Sequence, residues 1–221
     1  MRRIVTLISL LALVALTLSS CMTINIKAAK GKVVEHKVAI TEEVTSVAVS
    51  SGIDVIVDAT LPRGEARILT HTDVQDHVIV EVEDSSLNIK LKPVSLSAKV
   101  LKVFIPAYEF NAVTTSAGSD FEWTCCDVPS LTVAASSGSD IEIKGRCEVL
   151  SASTSSGADL DLEELVAECV TVSASSGADA TVHATNQLTA VASSGADITY
   201  IGNPAIKDIT TSSGASIHRG N

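Results

Sequence analysis

The segments that decide the fold are TSSGAD (154–159), ASSGAD (174–179) and ASSGAD (192–197). Related segments are VSSGID (49–54), TSAGSD (115–120), ASSGSD (135–140) and TSSGAS (211–216). Six of their glycines, at positions 118, 138, 157, 177, 195 and 214, follow one another at steps of 20, 19, 20, 18 and 19 residues. Such regular spacing is typical of a solenoid, in which each unit buries its apolar face by stacking on its neighbours.

Each repeat has apolar or small residues at every second position on both sides of the turn. Val170, Val172 and Ala174 precede one turn, and Ala180 and Val182 follow it. This alternation predicts two half-buried strands per repeat. Like residues recur at like positions, which favours parallel rungs over a sandwich of hairpins. Because parallel crossovers are overwhelmingly right-handed, the sequence predicts an all-β fold, a right-handed parallel β-helix (β-solenoid) of about 19-residue rungs.

The N-terminus has the three parts of an export signal. Arg2 and Arg3 are basic, residues 4–18 are apolar, and small residues then precede Cys21. The apolar run is shorter than the roughly 20 residues that a membrane-spanning helix needs. The pattern therefore predicts a cleaved signal peptide over residues 1–20.

Leu18-Ser19-Ser20-Cys21 resembles a bacterial lipobox. The resemblance implies lipidation of Cys21, and several acyl chains together hold a protein stably on a membrane. The alternative is an ordinary secretory signal in which Cys21 occurs by chance. We expect a protein of the cell envelope that is lipid-anchored to a bacterial membrane, the outer one. Met22 and Thr23 follow without an acidic cluster, which favours a periplasm-facing position over the cell surface.

The mature chain divides into a tether and one domain. Residues 21–44 are polar and mixed, and we expect them to form a lipidated tether. The solenoid domain is expected over residues 45–217. Its first part, 45–110, contains strands without the SSGAD turn and is predicted to form irregular rungs, whereas 111–217 holds the regular repeats.

The charge of the mature chain limits the classes of partner. Without Arg2 and Arg3, fourteen basic side chains face twenty-six acidic ones, and this balance argues against a nucleic-acid partner, which needs a basic surface. Aromatic residues make up 3% of the chain, so the core must be filled by small aliphatic side chains between closely spaced sheets. The sequence does not indicate an oligomeric state.

Four cysteines remain after Cys21: Cys125, Cys126, Cys147 and Cys169. They include no CxxC pair, so a zinc site is not expected. The intervals 125 to 147 and 147 to 169 are both twenty-two residues, close to one rung. Residues stacked on adjacent rungs would lie within the range that a disulfide tolerates. Export to an oxidising space permits disulfides, and a stack of buried free thiols is the equal alternative.

One aspartate ends almost every turn, and we call Asp120, Asp140, Asp159, Asp179 and Asp197 the Asp ladder. If the rungs stack, neighbouring carboxylates lie about 5 Å apart and repel by roughly 1 kcal/mol in water or 3–4 kcal/mol at an effective dielectric of 20. Calcium bound between turns would neutralise them. An Asx-type turn that closes each corner locally is the reading that the sequence favours. No other cofactor is expected.

Several motifs occur in an order that resembles one known family. The lipobox leader is followed by SSGID (50–54), SLNIKLK (86–92), VFIP (103–106) and then the serial turns. Over about residues 40–217 the chain resembles the putative auto-transporter adhesin, head GIN domain family. The resemblance implies a right-handed parallel β-helix on an exported lipoprotein and carries no catalytic residues. The resemblance implies no established activity. A lipid-tethered, rigid, polar rod is what an adhesin or structural module requires, and we expect its flat Ser/Thr/Asp surface to contact a glycan or protein ligand.

The alternative functions are a polysaccharide-active β-helix enzyme and a calcium-binding scaffold. Glu122, Glu142 and Asp161 form an acidic stripe, but the sequence indicates no basic partner beside it, as an acidic polysaccharide would require. Phe121 and Trp123 have the parity of inward-facing residues, which indicates core packing rather than sugar stacking. We therefore expect no catalytic residues and no enzyme activity.

Overall fold

The computed structural model describes residues 27–93 and 96–220, so the expected signal peptide and Cys21 lie outside the described residues. In the part of the chain that the structure describes, no helix is long and apolar enough to cross a membrane. The described residues form seventeen strands and a short 3-10 helix at Gln75–His77. The strands are β1 (Lys27–Ala28), β2 (Val33–Ala39), β3 (Ser46–Val49), β4 (Asp54–Val57), β5 (Glu65–His71), β6 (Val78–Glu83), β7 (Ser86–Leu91), β8 (Leu96–Ser97), β9 (Leu101–Ile105), β10 (Ala112–Thr115), β11 (Asp120–Ser136), β12 (Asp140–Ser155), β13 (Asp159–Ser175), β14 (Asp179–Ala192), β15 (Asp197–Ile201), β16 (Ile206–Thr211) and β17 (Ser216–Arg219).

Strands β11 to β14 are the central rungs of a parallel β-solenoid. Each begins at the aspartate after one SSGAD-type turn and runs, with a bend in its middle, to the edge of the next turn. Neighbouring rungs pair in parallel and in register, as in Leu131 with Leu150 and Leu150 with Val170. The solenoid has about five turns, with rungs of about 20 residues. The predicted fold class is confirmed.

Inward residues of successive rungs stack into columns that form one continuous core. Leu131, Leu150, Val170 and Leu188 make one such column, and each is at most 1% exposed. The large rings lie together near the first regular rung, where the ring centroids of Phe110 and Trp123 are 5.4 Å apart in an edge-to-face contact. Apart from Tyr200 in β15, aliphatic side chains fill the core of the later rungs, as the low aromatic content predicts.

Residues 45–110 belong to the same sheet system, but only part of them forms rungs. Strands β3, β4, β7 and β9 pair in parallel with one another or with the regular rungs. Strands β2, β5 and β6 instead pair antiparallel, β2 with β5, β5 with β9 and β6 with β7. These antiparallel strands close the N-terminal end of the stack.

The expected tether over 21–44 is corrected by β2, which pairs over its whole length with β5. Val34, His36 and Val38 are half-buried, whereas Glu35 and Lys37 point to solvent. The charged outward residues obscured this period-two alternation in the sequence. Ile40 and Val44 are 5% and 4% exposed, so the segment after β2 also contributes to the core.

Strands β16 and β17 form the last rung. Every residue of β16 is exposed, because no further rung covers it. Lys207 lies in register with Leu188, and Arg219 lies in register with Tyr200, although Leu188 and Tyr200 are buried in the core. Two basic side chains therefore occupy inward positions where the apolar core ends. On one side of the solenoid the order is β2-β5-β9-β4-β11-β12-β13-β14-β15-β17, and nine strand spacings make the stack about 43 Å long.

Candidate binding faces of the solenoid

The SSGAD corner separates two outward faces of the solenoid, one on each side of the turn. Ser156 and Gly157 have φ of +58° and +67°, so two successive residues adopt the left-handed conformation at this corner. The same pair of positive φ angles recurs at every related turn, with Ala117 in place of serine at one of them. Glycine adopts this conformation at little cost, which explains its strict recurrence.

Backbone hydrogen bonds connect each corner to both neighbouring rungs. The N–H of Gly138 donates to the carbonyl of Ser156 on the next rung at 3.2 Å. The N–H of Asp140 donates to the carbonyl of Ser119 on the previous rung, also at 3.2 Å. Among the described residues, no carboxylate of the Asp ladder accepts a hydrogen bond from its own turn, so the expected Asx-type closure is not found.

The Asp ladder stands in register along one outward face. Asp120, Asp140, Asp159, Asp179 and Asp197 pair rung by rung, and Asp54 extends the series by pairing with Asp120. Asp54, Asp120, Asp140 and Asp159 border a groove of about 360 Å³. The last rung ends the ladder with Ser216, whose hydroxyl donates to the Asp197 carboxylate.

Lys102 neutralises the N-terminal end of this ladder. It lies in register with Asp54, and its Nζ is 3.5 Å from Asp54 Oδ2. Farther along, partial burial and the neighbouring charges of Asp54 and Asp140 raise the pKa of Asp120 above its usual range. Within residues 27–93 and 96–220, no three His, Cys, Asp or Glu side chains are placed to hold a metal ion.

The acidic stripe beside the ladder includes a basic partner that the sequence reading missed. Glu122, Glu142 and Asp161 lie in register, as their spacing predicts. Lys144 Nζ is 2.9 Å from Glu142 Oε1 and 2.8 Å from Glu164 Oε1, and these carboxylates raise its pKa. Lys144 is two residues after Glu142 on the same strand, and this spacing places both on one face.

The strand segments before the turns carry the second outward face, which we call the hydroxyl face. Its exposed side chains include Thr114, Thr132, Ser151, Ser153, Thr171 and Ser173. Thr132, Ser151 and Thr171 are in register, so hydroxyls repeat about every 4.8 Å across rungs and about every 6.6 Å along a strand. Short and β-branched side chains at these spacings make a flat polar surface.

The bends in the middle of the rungs form the third side, which contains the cysteines. Arg146 donates two hydrogen bonds to the Asp127 carboxylate, at 2.9 and 2.8 Å. The four cysteines are free thiols; Cys126 and Cys147 are buried, Cys169 is half-buried and Cys125 is exposed. Burial and the neighbouring Cys147 raise the pKa of Cys126 to about 12, and burial raises that of Cys147 to about 11.

The cysteines are not in register with one another. Cys126 pairs with Gly145, Cys147 pairs with Val128 and Ala167, and Cys169 pairs with Val149 and Gln187. A register offset of two residues separates Cα atoms by about 7–8 Å, beyond the range of a disulfide. The register therefore favours free thiols over the disulfide alternative.

The fold and these faces define a β-solenoid module with long, flat, polar sides. A family profile described as "Putative auto-transporter adhesin, head GIN domain" matches residues 43–204, and the chain belongs to this family. No curated protein matches the sequence.

Solved structures with the same fold come from bacteria. A putative adhesin from Bacteroides fragilis has a TM-score of 0.71 at 16% identity, covering 87% of this chain and 99% of its own. A putative lipid binding protein from Parabacteroides distasonis has a TM-score of 0.55 at 15% identity, covering 88% and 99%. A putative adhesin from the same species has a TM-score of 0.51 at 16% identity, covering 89% and 100%. At these identities the similarity shows the fold alone.

Proposed function

We propose that this protein is a non-catalytic adhesin or structural module of the bacterial cell envelope, tethered by lipid on Cys21, whose hydroxyl face contacts a glycan or protein ligand. The observation that carries the proposal is the continuity of that face. From β10 to β13, the outward positions in register with Ala112 and with Thr114 are all uncharged threonine, serine or alanine on consecutive rungs.

Physical chemistry favours the hydroxyl face over the Asp ladder as the contact surface. A hydroxyl both donates and accepts hydrogen bonds, so a flat array of hydroxyls can match the hydroxyls of a glycan or the edge of a protein. Serine and threonine lose little rotamer freedom on binding compared with lysine or glutamate. The Asp ladder, by contrast, would have to desolvate adjacent like charges, which is costly.

A binding screen tests the ligand proposal. The soluble chain from Met22 onward is passed over immobilised glycans and extracellular matrix proteins, together with the double variant Ser151→Arg/Thr171→Arg. The matched control is Thr181→Arg/Thr199→Arg, which adds the same charge on the other side of the corner. We expect the first pair to abolish binding to the captured ligand and the control to retain it. Equal loss in both would contradict binding through the hydroxyl face.

The lipid tether is tested separately. Cells are grown with a labelled fatty acid, and the protein is compared with Cys21→Ser. We expect label only on the unchanged chain, and label on Cys21→Ser would contradict the proposal. Protease treatment of intact cells then tests the periplasm-facing position, since loss of the protein without lysis would place it on the surface.

The enzyme alternative is tested by a depolymerase assay on acidic polysaccharides. A non-catalytic module leaves their chain length unchanged at enzyme-like concentrations and after prolonged incubation. Release of oligosaccharides by the purified chain, but not by a heat-unfolded sample, would replace the adhesin proposal by the enzyme one.

Calcium binding along the Asp ladder is a second candidate, favoured by one observation. The ladder carboxylates are in register, and partial burial together with repulsion from Asp54 and Asp140 raises the pKa of Asp120. A cation between rungs would relieve this repulsion. Thermal unfolding with and without millimolar calcium tests it, with Asp140→Asn/Asp159→Asn as the control. An unchanged Tm in the original chain would rule out the calcium proposal.

A further inference from the structure

We propose that the N-terminal end of the solenoid is a docking surface for anionic phospholipid headgroups, and that it makes the rod stand upright on its membrane. The inference rests on the proposed lipidation of Cys21. Five exposed lysines define this surface, which we call the lysine end: Lys27, Lys30, Lys32, Lys92 and Lys99.

Backbone pairing brings the first part of the lysine end together. Lys27 pairs with Leu96 in a small parallel sheet, and the Ala29 N–H donates to the Ser97 carbonyl at 2.8 Å. Lys30 and Lys99 each follow two residues after the last register pair, Ala28 with Ser97. The paired strands therefore bring the two lysine-bearing segments to the same place on the surface.

The remaining lysines are fixed to the segment that connects β5 to β6. The Thr72 N–H donates to the Lys32 carbonyl at 2.9 Å. The Lys92 N–H donates to the His77 carbonyl, and Lys92 Nζ donates to the Asp76 carbonyl, both at 2.8 Å. Because β2 and β6 are the end strands on the two sides of the stack, this surface lies at the end opposite the last rung.

Asp73 and Asp76 are the acidic side chains in the connecting segment. The Asp73 carboxylate accepts the N–H groups of Lys30 at 2.8 Å and Gly31 at 3.1 Å. These hydrogen bonds lower the pKa of Asp73, which stays ionised and holds the loop in place. Five lysines against two aspartates leave the lysine end positive.

The rest of the molecule carries the opposite charge. Residues 27–104 contain ten basic and eleven acidic side chains, a net charge of −1, whereas residues 105–220 contain four basic and fifteen acidic ones, a net charge of −11. An anionic membrane attracts the lysine end and repels the regular rungs. The charge therefore varies along the axis of the rod in the direction that an upright orientation requires.

The short chain segment between Cys21 and Lys27 also favours the lysine end as the membrane-facing end. Six residues from Cys21 to Lys27 span at most about 20 Å, so a lipid on Cys21 keeps the lysine end close to the bilayer. The far end of a stack about 43 Å long lies several Debye lengths away at physiological salt. Each lysine at an anionic surface strengthens binding about fivefold, which supplements the acyl chains and fixes the orientation.

Vesicle binding of the non-lipidated chain tests the proposal without the tether. The chain from Met22 onward, which contains every described residue, is mixed with vesicles of phosphatidylglycerol and phosphatidylcholine or of phosphatidylcholine alone. We expect binding only to the anionic vesicles, and at least a tenfold loss when salt rises from about 50 to about 500 mM. Equal binding to both vesicle types, or binding to neither, would overturn the proposal.

Variants then locate the surface. Changing Lys27, Lys30, Lys32, Lys92 and Lys99 to glutamine is expected to weaken binding to anionic vesicles at least tenfold. The matched control changes Lys102, Lys144, Arg146, Lys207 and Arg219 to glutamine, with the same change in net charge, and is expected to bind within about threefold of the original chain. An equal loss in both variants would show that location does not matter and would overturn the docking surface. Failure of Cys21 labelling would refute the tether but leave this result unaffected.

Discussion

A side chain on Gly145 would overlap the carbonyl oxygen of Cys126 on the preceding rung, because the two backbones meet closely at the bend in the middle of the rungs. A side chain on Gly157, in an SSGAD corner, would meet no atom within 4 Å. Gly145, with φ of +133°, is therefore required both for space and for its backbone conformation, whereas Gly157 is required for its left-handed backbone alone. The close approach at Cys126 adds a cost at Gly145 that Gly157 does not have.

Alanine substitutions at these two glycines are expected to lower the free energy of unfolding by different amounts. Gly157→Ala should lower the free energy of unfolding by about 1–2 kcal/mol, the cost of a left-handed conformation for a residue with a Cβ. Gly145→Ala should cost about 3 kcal/mol or more, because backbone must move to admit the Cβ. Urea unfolding followed by the fluorescence of Trp123, the sole tryptophan, measures both.

Ser156→Gly is the control for the corner. Ser156 already has φ of +58°, so glycine removes strain in the folded state and adds freedom to the unfolded chain. We expect the free energy of unfolding to change by less than about 1 kcal/mol. If Gly145→Ala cost no more than Gly157→Ala, the close approach at Cys126 would be refuted.

A buried hydroxyl pair makes a second prediction. Thr115 Oγ1 lies 2.9 Å from Ser139 Oγ, and the Ser136 N–H donates to the same Ser139 oxygen at 3.1 Å. Ser139→Ala leaves both groups unpaired and should cost about 1–3 kcal/mol. Adding Thr115→Val should recover part of this loss, since Val49 and Ala135 occupy the same column. Additive losses in a denaturant-unfolding cycle would contradict the pairing.

The raised pKa of Asp120 makes a prediction about pH. A group whose pKa is higher in the folded state stabilises the fold when protonated, and this contribution is lost as pH rises through the folded pKa. Asp120→Asn should therefore raise the Tm by about 1–2 °C at pH 7. The difference should disappear below pH about 3.8, the ordinary pKa of aspartate, where the original carboxyl is protonated in both states.

Asp208→Asn removes the same charge outside the Asp ladder and is the matched control for Asp120→Asn. Asp208 is exposed on the last rung. Differential scanning calorimetry of the original chain and the two variants across pH isolates the contribution of Asp120. Every carboxyl other than Asp120 and Asp208 is present in all three proteins. An equal gain for Asp208→Asn at pH 7 would attribute the effect to net charge rather than to neighbouring rungs.

The thiols should differ in reactivity. Cys125 is exposed and should react with a thiol reagent in the folded protein, whereas Cys126 and Cys147 should react only after unfolding. Burial keeps these two protonated at neutral pH, with pKa values of about 12 and 11, and the thiolate is the reactive form. Mass spectrometry after labelling assigns each site. A disulfide between Cys126 and Cys147 in the folded chain would contradict the register.

The regular rungs were predictable because their information is local and repeated. Period-two alternation and the recurring glycine determine both the strands and their register, as the pairing of Asp140 with Asp159 illustrates. The antiparallel end of the stack was not predictable in this way. Its strands contact residues distant in sequence, as β2 does with β5, and no repeat reveals such pairs.

The cysteine spacing shows how a regular interval can mislead. Cys147 follows Cys125 by twenty-two residues, but Cys147 pairs with Val128, nineteen residues before it. Register shifts near Trp123 and Glu142 change the number of residues at the bend from one rung to the next. Spacing counted along the sequence therefore does not give the register at the bends. The ion pair of Lys102 with Asp54 was not predictable for a related reason, because the rung that contains Lys102 lacks the SSGAD turn.

Lys207 and Arg219 at inward positions of the last rung affect how these molecules behave when crowded together. Open ends of parallel stacks can template further strands, and fibres grow by that addition. A copy that added itself to this end would have to bury an ammonium and a guanidinium group where Leu188 and Tyr200 end two separate apolar columns. The unpaired charges would make each added copy unfavourable. The same repeat that builds the rod thus contains, in its last copy, the means to prevent polymerisation at that end.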